Sequence, residues 1–191
     1  MKFTETKLKG AFVVEPEPLD DERGFFARTW CSREFALHGL DRQFVQCNVT
    51  FNHKSGTLRG MHYQIAPYEE AKLVRCTAGA IYDVILDIRH DSSTFTQWEA
   101  FQLSAENRRM IYIPEGFAHG FLTLADNTEV FYQMSQFFEP EYARGVRFDD
   151  LVFGIRWPYT PRIVSARDRS FPDFVLESPR PASKGGTIIN S

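Results

Sequence analysis

No stretch of about 18 consecutive apolar residues occurs in this chain, so no membrane-crossing helix is expected. The opening MKFTETKLKGAFVV has none of the long apolar run of a secretory leader. A cytoplasmic protein without a membrane partner follows. Cysteine is scarce, and Cys31, Cys47 and Cys76 form neither an even disulfide framework nor a metal-binding spacing. Reduced thiols are the simplest account. Charge of one sign is not in excess either. Lys and Arg total 22 against 25 Asp and Glu, for a net charge of −3, which argues against a nucleic-acid partner. A diphosphate ligand would need only a local cluster of arginine and lysine. Helical patterning is thin. It is limited to a short helix capped by Ser32 that runs through Glu34, Phe35 and Leu37 to a stop at Gly39, and a turn at 140–144.

Aromatic side chains, by contrast, are plentiful. Eighteen phenylalanines among 191 residues suit the wide gap between two packed sheets. The length predicts one domain with a real core, over residues 1–172. A loosely ordered tail, 173–191, follows, with SPRPASKGGTIINS rich in Pro, Ser, Gly and Lys. Short alternating or apolar runs recur at 11–16, 25–30, 44–51, 57–64, 72–77, 80–89, 98–103, 109–113, 120–124 and 128–136. Turn-forming clusters separate them, the pattern of an all-β sandwich or barrel. In 80–89, Tyr82, Val84, Leu86 and Ile88 share one face, and Ile81, Asp83, Ile85, Asp87 and Arg89 the other. The second face mixes apolar and charged groups, as expected beside a polar cavity.

Two histidines stand on short β segments with glycine beside them: His62 in GTLRGMHYQIAPYEEAK and His119 in IPEGFAHGF. A lone histidine is more often structural than catalytic. Two features favour chemistry at His62: Gly60 and Met61 leave room on one side, and Arg59 and Lys72 bring positive charge nearby. An imidazole serves as a base near pH 7, and adjacent cations stabilise an enolate oxygen. Tyr132, in EVFYQ, is either a core tyrosine or a proton donor facing His62. Asp168, in SARDRS, is either a turn aspartate or the group that orients a histidine. A metal set of His62, Gln64, Glu69 and His119 has the spacing of metal-binding barrels. Glutamine is a poor substitute for imidazole, however, so the metal-free reading leads.

Taken in order, DERGFFA, FVQCN, LRGMHYQ, KLVRC, AIYDVILDIR, IPEGFAHGF and SARD resemble the dTDP-4-dehydrorhamnose 3,5-epimerase family. The resemblance runs from about residue 12 to 172. It implies a cupin-type jelly roll, a homodimer that exchanges N-terminal strands, and no metal or dissociable cofactor. The implied reaction inverts C3, C5 or both of a nucleotide-linked 4-keto-6-deoxy hexose, in deoxysugar biosynthesis for a cell-surface polysaccharide or glycosylated product. On the same footing His62 is the base, Asp168 its support, Tyr132 the acid, and Lys72 the cation at the C4 oxygen. Arg23, Gln46, Asn48, Arg59 and His119 fall on ligand-binding positions. Several positions depart from the family pattern. Arg28 and Ala143 replace glutamates, Phe138 a tyrosine that stacks on thymine, Arg167 a lysine, and Cys47 an aspartate. These changes leave dTDP, CDP and GDP open as carriers. A 3,4-ketoisomerase, a metal-dependent cupin and a catalytically silent sugar-binding module are the competing readings.

Overall fold

The computed structural model describes residues 1–40 and 43–176. Its strands are β1 (Lys2–Glu5), β2 (Phe12–Glu15), β3 (Leu19–Asp21), β4 (Gly24–Phe26), β5 (Gln46–Asn52), β6 (Thr57–Gln64) and β7 (Lys72–Ala78). They continue with β8 (Ala80–Asp87), β9 (Trp98–Ser104), β10 (Met110–Ile113), β11 (Phe117–Thr123), β12 (Thr128–Met134), β13 (Ala143–Gly145) and β14 (Ile163–Val164). Helix α1 (Ser32–Leu37) precedes β5, and α2 (Ala166–Arg169) follows β14. One sheet has the order β1-β2-β10-β7-β12-β5 and the other β13-β6-β11-β8-β9, with β14 parallel to β6. The two sheets face each other as a cupin-type jelly roll.

Strand alternation decides what lies between the sheets. Val74, Cys76, Ile111, Ile113 and Val130 meet Ile81, Ile85, Leu103, Phe117 and Phe121 in the inter-sheet core. The outer faces are covered separately. Phe35 of α1 packs with Leu73, Met110 and Tyr112 on the first sheet. Residues from 146 to 174, including Phe153, Trp157 and Phe174, cover Met61, Val84 and Leu86 on the second. With both faces covered, the barrel needs large side chains outside as well as inside, which accounts for the phenylalanine content. Phe174 remains packed on Phe153, and its N–H donates to Asp150 at 2.7 Å. Of the expected tail, 177–191 lie outside the described residues. Among the described residues no helix is long and apolar enough to cross a membrane.

The elements differ from expectation in a few places. Of the run 25–30 only Phe25 and Phe26 are strand, in β4, which pairs with β3 alone as a hairpin. Strand β11 begins at Phe117, where a continued turn was expected, and β1, β3, β13 and β14 were not foreseen. Ser32 is the first helical residue of α1. The N-cap is Cys31, which makes no side-chain capping bond. Asp168 lies in a helical turn, α2, whose N-cap Ser165 Oγ accepts the Asp168 N–H at 3.0 Å.

Candidate active site

A cavity of about 350 Å³ opens between the sheets at the end away from the apolar core. From β6 it receives Arg59, His62 and Gln64. Arg59 and His62 are three residues apart, a spacing that in a regular strand sends side chains to opposite faces. An irregularity resolves this: His62 pairs with His119 but Arg59 pairs with Phe121, so β6 spends one residue more than β11. Gly60 lies at that irregularity with φ near 139°, and a Cβ there would sit 2.5 Å from Gly120 Cα. Its bareness thus serves close approach of two strands rather than room beside His62.

The His62 Nε2 lies 2.7 Å from Asp168 Oδ1, and the Gly60 N–H donates to Asp168 Oδ2 at 3.3 Å. Burial alone would raise the Asp168 carboxyl. The hydrogen bond and charge of His62, with the Gly60 N–H, outweigh burial and hold it below its ordinary value. An ionised carboxylate only accepts, so Nε2 carries the proton and Nδ1 is left as the basic nitrogen. Behind His119 stands a second such pair, its Nε2 lying 2.8 Å from Asp83 Oδ2 on β8.

The opposite wall comes from the first sheet. Tyr132 of β12 and Lys72 of β7 line the same cavity as His62. Burial pushes the Tyr132 phenol up; Arg59 and the Thr50 hydroxyl oppose the shift without cancelling it. The side chain is therefore a protonated phenol at neutral pH. Lys72 Nζ is 2.8 Å from Glu70 Oε1 and 3.5 Å from the His62 carbonyl oxygen. On β5, Gln46, Asn48 and Thr50 face the cavity, while Cys47, Val49 and Phe51 face outward and are exposed. Gln46 Nε2 donates to Asn48 Oδ1 at 3.2 Å, and its Oε1 accepts the Phe138 N–H at 3.1 Å. Phe138 and Arg167 complete the lining from the loops.

Ten of the twelve predicted site residues thus gather at one cavity. Arg23 and Arg28 do not. Arg23 pairs with Asp21 in the β3–β4 hairpin, and Arg28 NH1 lies 2.8 Å from Glu34 Oε1 beside α1. Both are outside the chain's own cavity. Gln64 belongs there only as scaffold, because its amide is taken by the carbonyls of Tyr68 and Phe137 and by the Glu139 N–H. Glu69 does not line the cavity, and its neighbour Glu70 does. With Gln64 so engaged and both imidazole Nε2 atoms facing carboxylates, the metal set weighed from spacing does not assemble. Glu70, Asp83, Thr50 and Arg144 went unrecognised in the sequence. Alternation along β8 placed Asp83 on a mixed face, which was the one available signal.

A double-sheet barrel that confronts an oriented imidazole with a phenol and an ammonium is a cupin-type isomerase in class, equipped to move protons on a small ring. Comparison with known proteins gives the particular family. The family model for dTDP-4-dehydrorhamnose 3,5-epimerase matches residues 5–175. The chain is 43% identical to the dTDP-4-dehydrorhamnose 3,5-epimerase of Methanothermobacter thermautotrophicus, over 89% of this chain and 92% of that protein. The crystal structure of the same enzyme from Bacillus anthracis, with TDP and PPi bound, superposes with a TM-score of 0.87 at 40% identity. The match covers 91% of this chain and 99% of that one. ChmJ, a 3'-monoepimerase from Streptomyces bikiniensis in complex with dTDP-quinovose, gives a TM-score of 0.81 at 33% identity, over 88% of this chain and 85% of that one. The chain belongs to the dTDP-4-dehydrorhamnose 3,5-epimerase family.

Proposed function

We propose that this enzyme inverts C3 and C5 of a dTDP-linked 4-keto-6-deoxy hexose by removing a proton on one face and returning one on the other. The observation that carries the reading is that His62 and Tyr132 reach a single cavity from opposite sheets. The C4 carbonyl acidifies the hydrogens on C3 and C5. His62 Nδ1 takes one, with Asp168 fixing the ring and stabilising the imidazolium that forms. The negative charge passes to the C4 oxygen, beside Lys72, whose ammonium is already desolvated. The Tyr132 phenol then protonates the carbanion carbon from the other side, and inversion follows.

The TDP found in the Bacillus anthracis enzyme supports thymidine diphosphate as the carrier. Phe138, half exposed at the mouth, offers a ring for the base to stack on. Arg59, Arg144 and Arg167 supply cations for the diphosphate. Arg23 lies on an exposed hairpin whose Leu19 and Phe26 are each 70% exposed. Strand β5, a sheet edge, adds exposed Val49 and Phe51. A second copy of the chain covering this apolar surface makes a homodimer, and Arg23 and Arg28 then serve the partner's cavity.

The test is deuterium wash-in followed by NMR over dTDP-, CDP- and GDP-linked 4-keto-6-deoxy sugars. Exchange at both C3 and C5 of the dTDP sugar is expected. Exchange at C3 alone would make the enzyme a monoepimerase, and binding without any exchange would make it a silent module.

A further inference from the structure

Among the described residues four buried side-chain atoms have no hydrogen-bond partner, Trp30 Nε1, Glu70 Oε2, Arg75 Nε and Asp83 Oδ1, and of these four residues Glu70 alone lines the cavity. Glu70 is 7% exposed and lines the cavity together with His62, Lys72 and Tyr132. Its Oε1 holds the Lys72 ammonium at 2.8 Å. Its Oε2 is fully buried and has no hydrogen-bond partner among the described residues. A buried carboxylate oxygen in that condition is costly, and native structures rarely tolerate it without a purpose. Glu70 and Tyr132 line the same cavity, and the carboxylate adds a small upward push to the phenol, whose rise comes mainly from burial.

The geometry limits what can satisfy Oε2. The two oxygens share one carbon, so a donor to Oε2 lies beside whatever Lys72 binds. On the functional reading above, on which this inference rests, Lys72 binds the C4 carbonyl oxygen. Of the two carbons next to C4, only C3 carries a hydroxyl, while C5 carries the methyl group. We propose that Glu70 is a specificity-determining residue: its carboxylate turns on substrate binding so that Oε2, closed to the cavity at rest, accepts a hydrogen bond from the C3 hydroxyl of the sugar. A carboxylate holding O–H at C3 and an ammonium holding the oxygen at C4 fix the ring by two adjacent substituents. Both C–H bonds are then presented to His62 in a set orientation. Sugars lacking the C3 hydroxyl leave the charged oxygen buried and unsatisfied, so the site rejects them.

The test compares the 4-keto-6-deoxy sugar nucleotide with its 3-deoxy analogue, reading deuterium exchange at C5, which both possess. In the native enzyme kcat/KM for C5 exchange falls roughly tenfold or more when the hydroxyl is removed. In Glu70→Gln, which keeps the shape but puts an amide beside Lys72, the two substrates differ by less than about threefold. Glu70→Asp is the second variant, keeping the charge for Lys72 while drawing the oxygens back, and it loses the preference likewise. Binding of dTDP alone, measured by calorimetry, stays unchanged in both. A native-like preference in either folded variant overturns the assignment, as does an equal loss on both substrates. Absence of exchange in the native enzyme on every substrate overturns the epimerase reading as well. Exchange with an unaltered preference overturns only the role of Glu70.

Discussion

Replacing Asp168 by asparagine removes one charge and almost no volume, and the structure says what the amide must do. At present Oδ1 faces His62 Nε2 at 2.7 Å while Oδ2 accepts the Gly60 N–H at 3.3 Å. An amide has only one acceptor end. With its nitrogen turned to His62 it donates to Nε2, the ring proton moves to Nδ1, and the base disappears. With its nitrogen turned to Gly60, two N–H groups oppose each other in a pocket where the side chain is 5% exposed. An unsatisfied donor of that kind costs about 1–3 kcal/mol. A positioned general base contributes about 10²–10⁴-fold, so C–H exchange should fall by about that factor while sugar-nucleotide binding persists.

Stability gives a second readout of the same substitution. The Asp168 carboxyl is held below its ordinary value of 3.8 in the folded chain. Its contribution is therefore complete above that value and is lost as pH falls below it through the folded value. The native protein should melt above Asp168→Asn at pH 7, and the two curves should converge below about pH 4. Wash-in rates by NMR and melting curves from neutral to acid pH check both. Native exchange rates in the asparagine variant would refute the reasoning.

Tyr132→Phe should leave wash-in of solvent deuterium at one face while abolishing inversion, as judged by the stereochemistry of the product; full epimerisation would remove the phenol from its role. Lys72→Met strands the Glu70 carboxylate, so exchange should vanish and stability drop by about 3–5 kcal/mol in urea melts. Gly60→Ala forces a Cβ to 2.5 Å from Gly120 Cα at a positive φ. Its cost should exceed the ordinary range of about 0.5–3 kcal/mol, read as loss of soluble folded protein. Val49→Asp combined with Phe51→Asp puts charge on the exposed face of β5. If the proposed homodimer forms through this face, sedimentation should then report a monomer with the exchange rate sharply reduced.

Much of the barrel was legible because strand alternation is a local property. The bounds expected for β6, Thr57–Gln64, are those observed. The start of β11 at Phe117 is not legible because Pro114, Glu115 and Gly116 announce a turn but do not say where it ends. Short pieces such as β13, β14 and α2 carry too few residues for a period to show; tertiary pairing to β6 creates them. His62, Tyr132 and Asp168 could be named as candidates from motifs, yet the placing of Arg59 and His62 at one cavity depends on a register irregularity between β6 and β11 that no spacing rule exposes. That Glu70 rather than Glu69 lines the cavity is hidden for a similar reason. Two adjacent glutamates outside a strand give no sign of which one turns inward. Arg23 and Arg28 look like neighbours of the site in the motif, and the hairpin that carries them points them elsewhere.

The residues to which the proposed mechanism gives proton transfer enter the chain at widely separated times during synthesis. Imidazole, ammonium and phenol have all emerged by residue 132, whereas the carboxylate arrives at residue 168, close to the end of the barrel's outer cover. A nascent chain stopped anywhere before that turn holds every proton-carrying group and no tether for the first of them. On the proposed mechanism, a fragment that stops short of Asp168 should bear an untethered His62 and exchange no deuterium.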